Sequence, residues 1–243
     1  TVGSITVGAA DKVGNVQFQS TVATAGALTI LGGDNAAEDS VAEFQNSLTA
    51  ATIDLDDANG TATLAINATN GAKTVAGALD SSTAGEGIVS VFDDDAGVAP
   101  DLITFSGTFG SASQKTLHVN VGNSTQGGAM SHTHNSAVTS TNVTITGGDH
   151  ADEDSSLTVS EAVTATAIVL DDNLGYASLN VTGANGVAAI AGTINGGAAG
   201  EGIINVTDSD AGNSDMITFS GIVGGTSSVR EINVGTTALG GDA

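Results

Sequence analysis

The sequence predicts an all-β chain, a parallel β-solenoid in preference to two tandem Ig-like β-sandwich repeats, and three observations carry that prediction. Stretches such as Thr61–Ile66 and Ile203–Val206 alternate apolar and polar residues with the period of two of a half-buried strand. No window of helical length holds a 3.6-residue apolar stripe free of Gly, and the two segments that could tempt a helix assignment, Glu38–Leu48 and Ser156–Ala165, are rich in β-branched and cap-type residues. Core-type residues at Val7, Ile30, Leu55, Ile66, Val91, Phe105, Val119, Ile145, Leu170, Val181, Val206, Phe219 and Val234 are spaced near one or two units of about 12 to 13 residues, the spacing of a strand plus its turn. The third observation is the apolar inventory: no Trp, one Tyr and six Phe in 243 residues. Stacked coils accept ladders of Ala, Val and Ile, whereas a sandwich core usually encloses a large aromatic.

One pattern speaks against the solenoid. Coils usually resemble one another at the period of a single coil, and here the clear self-similarity is far longer. Gly32-Gly33-Asp34-Asn35-Ala36-Ala37-Glu38-Asp39-Ser40 returns as Gly147-Gly148-Asp149-His150-Ala151-Asp152-Glu153-Asp154-Ser155, an offset of 115, and 32 of the 70 positions from Leu28 to Gly97 are identical at that offset. Ile103-Thr104-Phe105-Ser106-Gly107 reappears as Ile217-Thr218-Phe219-Ser220-Gly221 at an offset of 114. Ser4-Ile5-Thr6-Val7-Gly8 matches the endings His118–Gly122 and Glu231–Gly235. The chain therefore divides into the tail of a preceding repeat (1–20), a first β repeat (21–135) and a second (136–243).

Charge excludes several functions. Against 27 Asp and Glu stand only Lys12, Lys73, Lys115 and Arg230, a net charge of −23. Such a chain cannot neutralise a run of phosphates, and its field repels nucleic acid and anionic lipid. Zero cysteines exclude a disulfide scaffold and thiolate metal sites. No apolar run approaches the roughly 18 to 20 residues of a membrane helix, so no membrane insertion is expected. Thr1 in place of an initiator Met suggests a processed chain or an excised piece.

Acidic turns are the candidate sites. Asp93 and Asp95, repeated as Asp208 and Asp210, set carboxylates at alternate positions beside a Gly that lets the chain turn so that a third, Asp101 or Asp215, approaches. Calcium takes six to eight hard oxygens, and here they meet few competing ammonium groups, so Ca2+ is the candidate cofactor. The spacing is not that of an EF-hand, because the bidentate Glu is missing, and hydrated turns without an ion remain the competing reading. Asp56 and Asp57, repeated as Asp171 and Asp172, form a second acidic turn, for which ordinary turn chemistry is the leading reading, and Asp34, Glu38 and Asp39, with Asp152, Glu153 and Asp154 in the later copy, form a third. His132-Thr133-His134 is a minimal zinc or copper arrangement, but two imidazoles fall short of a zinc site and a solvated loop is favoured. No nucleophile elbow, Walker loop, zincin motif or Cys nucleophile is present, and the lack of aromatic platforms and of cations argues against a glycan-cleaving enzyme.

The recurrent Ile-Thr-Phe-Ser-Gly at Ile103 and Ile217, the Ala-Gly-Glu-Gly-Ile at Ala84 and Ala199, and the Asn-Val-Gly endings resemble bacterial β-strand-repeat cell-surface proteins, including surface-layer subunits and autotransporter passengers. The resemblance spans most of the chain and concerns the class. It implies an extracellular, non-catalytic structural or adhesive element, often calcium-dependent. The expected function is self-assembly into a surface array or filament, with an adhesin or fibre spacer as the alternative and a carbohydrate-active enzyme as a remote one. The expected partner is the chain itself, with possible glycan or cell-surface contact.

Overall fold

A computed structural model describes residues 2–68, 71–94, 101–125, 128–183, 188–208 and 216–235. Among them there are twenty strands and no helix. The strands are β1 (Ile5–Val7), β2 (Asn15–Phe18), β3 (Val22–Ala23), β4 (Ala27–Leu31), β5 (Ser40–Phe44), β6 (Leu48–Asp56) and β7 (Ala62–Asn67). There follow β8 (Lys73–Ser81), β9 (Glu86–Phe92), β10 (Asp101–Phe105), β11 (Thr116–Val121), β12 (Met130–His134), β13 (Val138–Thr146) and β14 (Ser155–Val159). The last six are β15 (Val163–Asp171), β16 (Ala177–Gly183), β17 (Ala188–Gly196), β18 (Glu201–Asp208), β19 (Ile217–Phe219) and β20 (Val229–Val234). Both segments that could have tempted a helix assignment contain strands, β5 and β14.

Every named strand pairing is parallel, and the strands form an eleven-stranded and a nine-stranded sheet. The fold is a β-solenoid of about eight turns. The nine-residue strands bend midway, with register shifts between Thr49 and Thr52 and between Thr164 and Ala167, so the pairings resolve into three ladders. The inward row of the first runs Ile5, Leu28, Ile53, Leu79, Phe109, Val138, Val163, Ile190, Phe219. That of the second runs Phe18, Phe44, Ile66, Val91, Val121, Ile145, Leu170, Gly196. That of the third runs Val22, Leu48, Val75, Phe105, His134, Val159, Val181, Val206, Val234. The chain visits them in the order first, second, third. These rows form one continuous core, in which each fully buried Leu, Ile or Val contributes about 1.5 to 3 kcal/mol relative to exposure.

The ladders explain why the sequence repeat is longer than a coil. Successive coils need 25, 26 and 30 residues from Leu28 to Ile53, Leu79 and Phe109, because the corners differ in length. Thirteen ladder positions separate Ile30 from its counterpart Ile145, which is four coils and one third. Each repeat is therefore turned by one face: Phe44 lies in the second ladder and its counterpart Val159 in the third, while Leu48 lies in the third and Val163 in the first.

Polar rows cover the outside. Thr74, Thr104, Thr133, Thr158, Asn180, Asn205 and Asn233 follow one another on the third ladder. The asparagines are linked side chain to side chain: Asn233 Nδ2 donates to Asn205 Oδ1 at 2.9 Å and Asn205 Nδ2 to Asn180 Oδ1 at 2.8 Å. The Ser-Gly ending of the Ile-Thr-Phe-Ser-Gly motif has a packing cause, since a Cβ on Gly107 would overlap the Gly77 carbonyl and one on Gly221 the Gly192 carbonyl.

Candidate functional site

The Gly-Gly-Asp turns are built alike in both repeats. Gly33 N donates to Glu38 O and Gly148 N to Glu153 O, both at 2.7 Å, and the Glu carboxylate folds back to accept from the backbone of Asn35 or His150. In the first copy the Asn35 amide donates to Asp34 Oδ1 and Glu38 Oε2, separating two carboxylates that repel. Asp34 is still held above the usual carboxylate range by its hydrogen bond with Glu38, then by burial and by the charges of Glu38 and Asp11. In the second copy His150 replaces that amide. Asp149, His150 and Glu153 then offer three ligand atoms within 4.8 Å of one another; Glu153 is buried, His150 exposed, and the Oδ1 of half-buried Asp149 has no hydrogen-bond partner. One imidazole with two carboxylates is a donor set for a first-row divalent ion more than for calcium, which prefers oxygen alone. This is the one such group of three among the described residues. The signal for it in the sequence is the Asn35 to His150 exchange between copies, which counting carboxylates alone overlooks.

The other acidic turns use their oxygens on the chain itself. Asp57 Oδ1 accepts from Ala62 N at 2.6 Å and Oδ2 from Gly87 N at 2.8 Å. Asp172 Oδ1 accepts from Ala177 N at 2.7 Å, and Oδ2 pairs at 2.9 Å with Arg230, whose guanidinium also lies over the Tyr176 ring. Their neighbours Asp56 and Asp171 end β6 and β15, and burial, then the charges of Glu201 and Asp172, push Asp171 up. Asp57→Ala leaves two backbone N–H groups unpaired and will cost about 2 to 4 kcal/mol in a denaturant titration, while Asp57→Asn, which keeps an acceptor, will cost clearly less.

Of the remaining predicted ligands, Asp93 and Asp208 are buried at the ends of β9 and β18, and Asp101 opens β10 and accepts from Gly71 N at 2.8 Å. Asp95, Asp210 and Asp215 lie outside the described residues. Among the described residues, these carboxylates form no group of three ligands.

The histidine pair departs from expectation. His132 and His134 are not in a solvated loop; they are inward residues of β12, fully buried in the solenoid. Ser131 and Thr133 take the outer face, so strand alternation sends both imidazoles inside. Burial, joined for His132 by its neighbour, lowers His132 well below the ordinary histidine value and His134 to about 3.

Two shallow grooves lie on the surface of the described residues. One, of about 370 Å³, is lined by Asn15, Val16, Gln17, Val41 and Glu43. The other, of about 360 Å³, holds Asp54 and Asp80 side by side in register, both raised chiefly by burial. No protein-family model matches the chain, and neither the curated proteins nor the solved structures yield a match.

Proposed function

We propose that the chain is an extracellular, non-catalytic structural protein whose coils stack end to end on further copies of itself, forming a filament or surface array. The observation that carries this reading is the exposure of apolar side chains on the outermost described coils. Ile232 and Val234 of β20 continue the rows of Ile204 and Val206, which are 0% and 8% exposed, yet they are themselves 51% and 65% exposed. At the other end Val2, Val13 and Val16 are exposed. A terminal parallel strand also presents a row of backbone donors and acceptors that another strand can pair with. A coil from a second copy would cover the apolar rows and pair that edge in one step, in the register already used inside the molecule. The high negative charge keeps separate chains apart until salt or divalent ions screen it.

Sedimentation and negative-stain microscopy over a concentration series, with millimolar calcium and with chelator, test this. The wild type will form elongated oligomers that grow with concentration, and an Ile232→Asp, Val234→Asp variant will stay monomeric. A wild type that is monodisperse under every condition would overturn self-assembly and favour an adhesin or fibre spacer.

A further inference from the structure

Met130, His132 and His134 stand at alternate positions of β12, all inward and all 0% exposed. His134 fills a place in the row Phe105, His134, Val159, and His132 one in the row Ile103, His132, Leu157, where the neighbours are apolar. None of the four ring nitrogens has a hydrogen-bond partner. Buried polar atoms are normally paired, and a Val or Leu would fill these rows without that cost, so two unpartnered imidazoles side by side call for a ligand. The rings lie 4.6 Å apart, centroid to centroid, and tilted by 46°. Phe105 packs on both, at 4.8 Å from His132 and 5.0 Å from His134, and Phe109 meets His134 edge to face at 4.8 Å.

We propose that His132 and His134 form an internal two-coordinate binding site for a soft monovalent cation, Cu(I). The donors on offer are two neutral imidazoles, a pair that two-coordinate Cu(I) accepts, whereas calcium and magnesium require oxygens. A single positive charge is the cheapest to bring into this apolar interior, and the adjacent faces of Phe105 and Phe109 attract cations. Zinc fits less well, since it carries twice the charge and takes four ligands. The charged groups nearest in these rows favour the same choice. Asp101 beside Met130 already accepts from Gly71 N, and buried Lys73, beyond Ile103 in the row of His132, penalises a divalent ion more than a monovalent one. Because burial keeps both rings unprotonated at neutral pH, their lone pairs are free for the ion.

With both rings buried, the ion is loaded as the coils close. The experiment is to unfold the chain and refold it anaerobically with Cu(I) buffered by a chromophoric chelator, then desalt and measure retained copper. The wild type will keep one equivalent per chain and melt at a higher temperature than the metal-free protein. A His132→Leu, His134→Leu variant, checked for the same β circular dichroism, will keep none, while His118→Asn with His150→Asn will still keep one. Each single variant, His132→Leu or His134→Leu, will bind at least tenfold more weakly. A folded wild type that retains no copper, or a double leucine variant that retains as much as the wild type, overturns the site; a single leucine variant of unchanged affinity overturns the two-imidazole donor set.

Discussion

Between pH 6.5 and pH 5 the metal-free chain will lose about 3 kcal/mol of folding stability through its two buried histidines. In the unfolded chain each imidazole takes a proton near pH 6.5, while in the folded chain His134 does so only near 3 and His132 is also held well down. The depressed folded pKa means that the neutral rings favour the folded state above pH 6.5, and that below it the unfolded chain binds more protons. Each histidine then contributes a slope that rises towards about 1.4 kcal/mol per pH unit, or about 1.6 kcal/mol over this window. The loss is large beside the usual 5 to 15 kcal/mol of a domain. Asp34, Asp54, Asp80 and Asp171 act in the opposite sense. Their folded pKa values are raised, so they add stability as pH falls, but from a starting value of 3.8 they act mainly at lower pH. Denaturant titrations at pH 7, 6 and 5 will show the decline in the wild type and a much flatter profile in the His132→Leu, His134→Leu variant. Equal slopes would place the pH dependence elsewhere.

Gly107→Ala will destabilise the fold by about 3 kcal/mol, although it adds one methyl group. The added carbon falls on the carbonyl of Gly77, a residue held at φ +140°, and neither backbone can retreat without breaking the ladder that carries β8 and β10. Gly221→Ala repeats the experiment against Gly192, at φ +123°. Gly3→Ala is the control: nothing lies within 4 Å of its added carbon, and the change will stay within about 0.5 kcal/mol. Urea midpoints for the three variants decide the matter, and a Gly107→Ala protein as stable as Gly3→Ala would show that the corner yields.

Much of the architecture was legible in the residues. All thirteen core-type positions, from Val7 to Val234, fall in strands, and most are buried, because a period of two and Gly-rich corners are local properties of the chain. Val234 is exposed because no described coil covers it, which its own sequence cannot report. Coil-to-coil similarity is missing from the sequence, which speaks against a solenoid. That objection dissolves because a repeat of four and one third coils never sets equivalent residues on the same ladder, a fact fixed by corner lengths that only the paired registers reveal. The candidate sites were less legible. Asp57 and Asp172 behave as turn residues, as their Asp-rich, Gly-bounded setting suggests. A ligand count too small for zinc says nothing about burial, so it could not place His132 and His134: Met130, His132 and His134 share the parity of buried residues, and in a core this narrow parity decides.

The one-face advance per repeat reaches beyond this chain's own packing. If further repeats of the same length were added to the stack, a given surface group would recur on a new side each time and return to its first side only after three repeats. That interval is thirteen coils, about 62 Å along the axis at the usual strand spacing of about 4.8 Å. Such a rod would carry every feature on all three sides in a slow spiral, so it could be approached from any direction, and neighbouring rods would find matching contacts only at fixed axial steps.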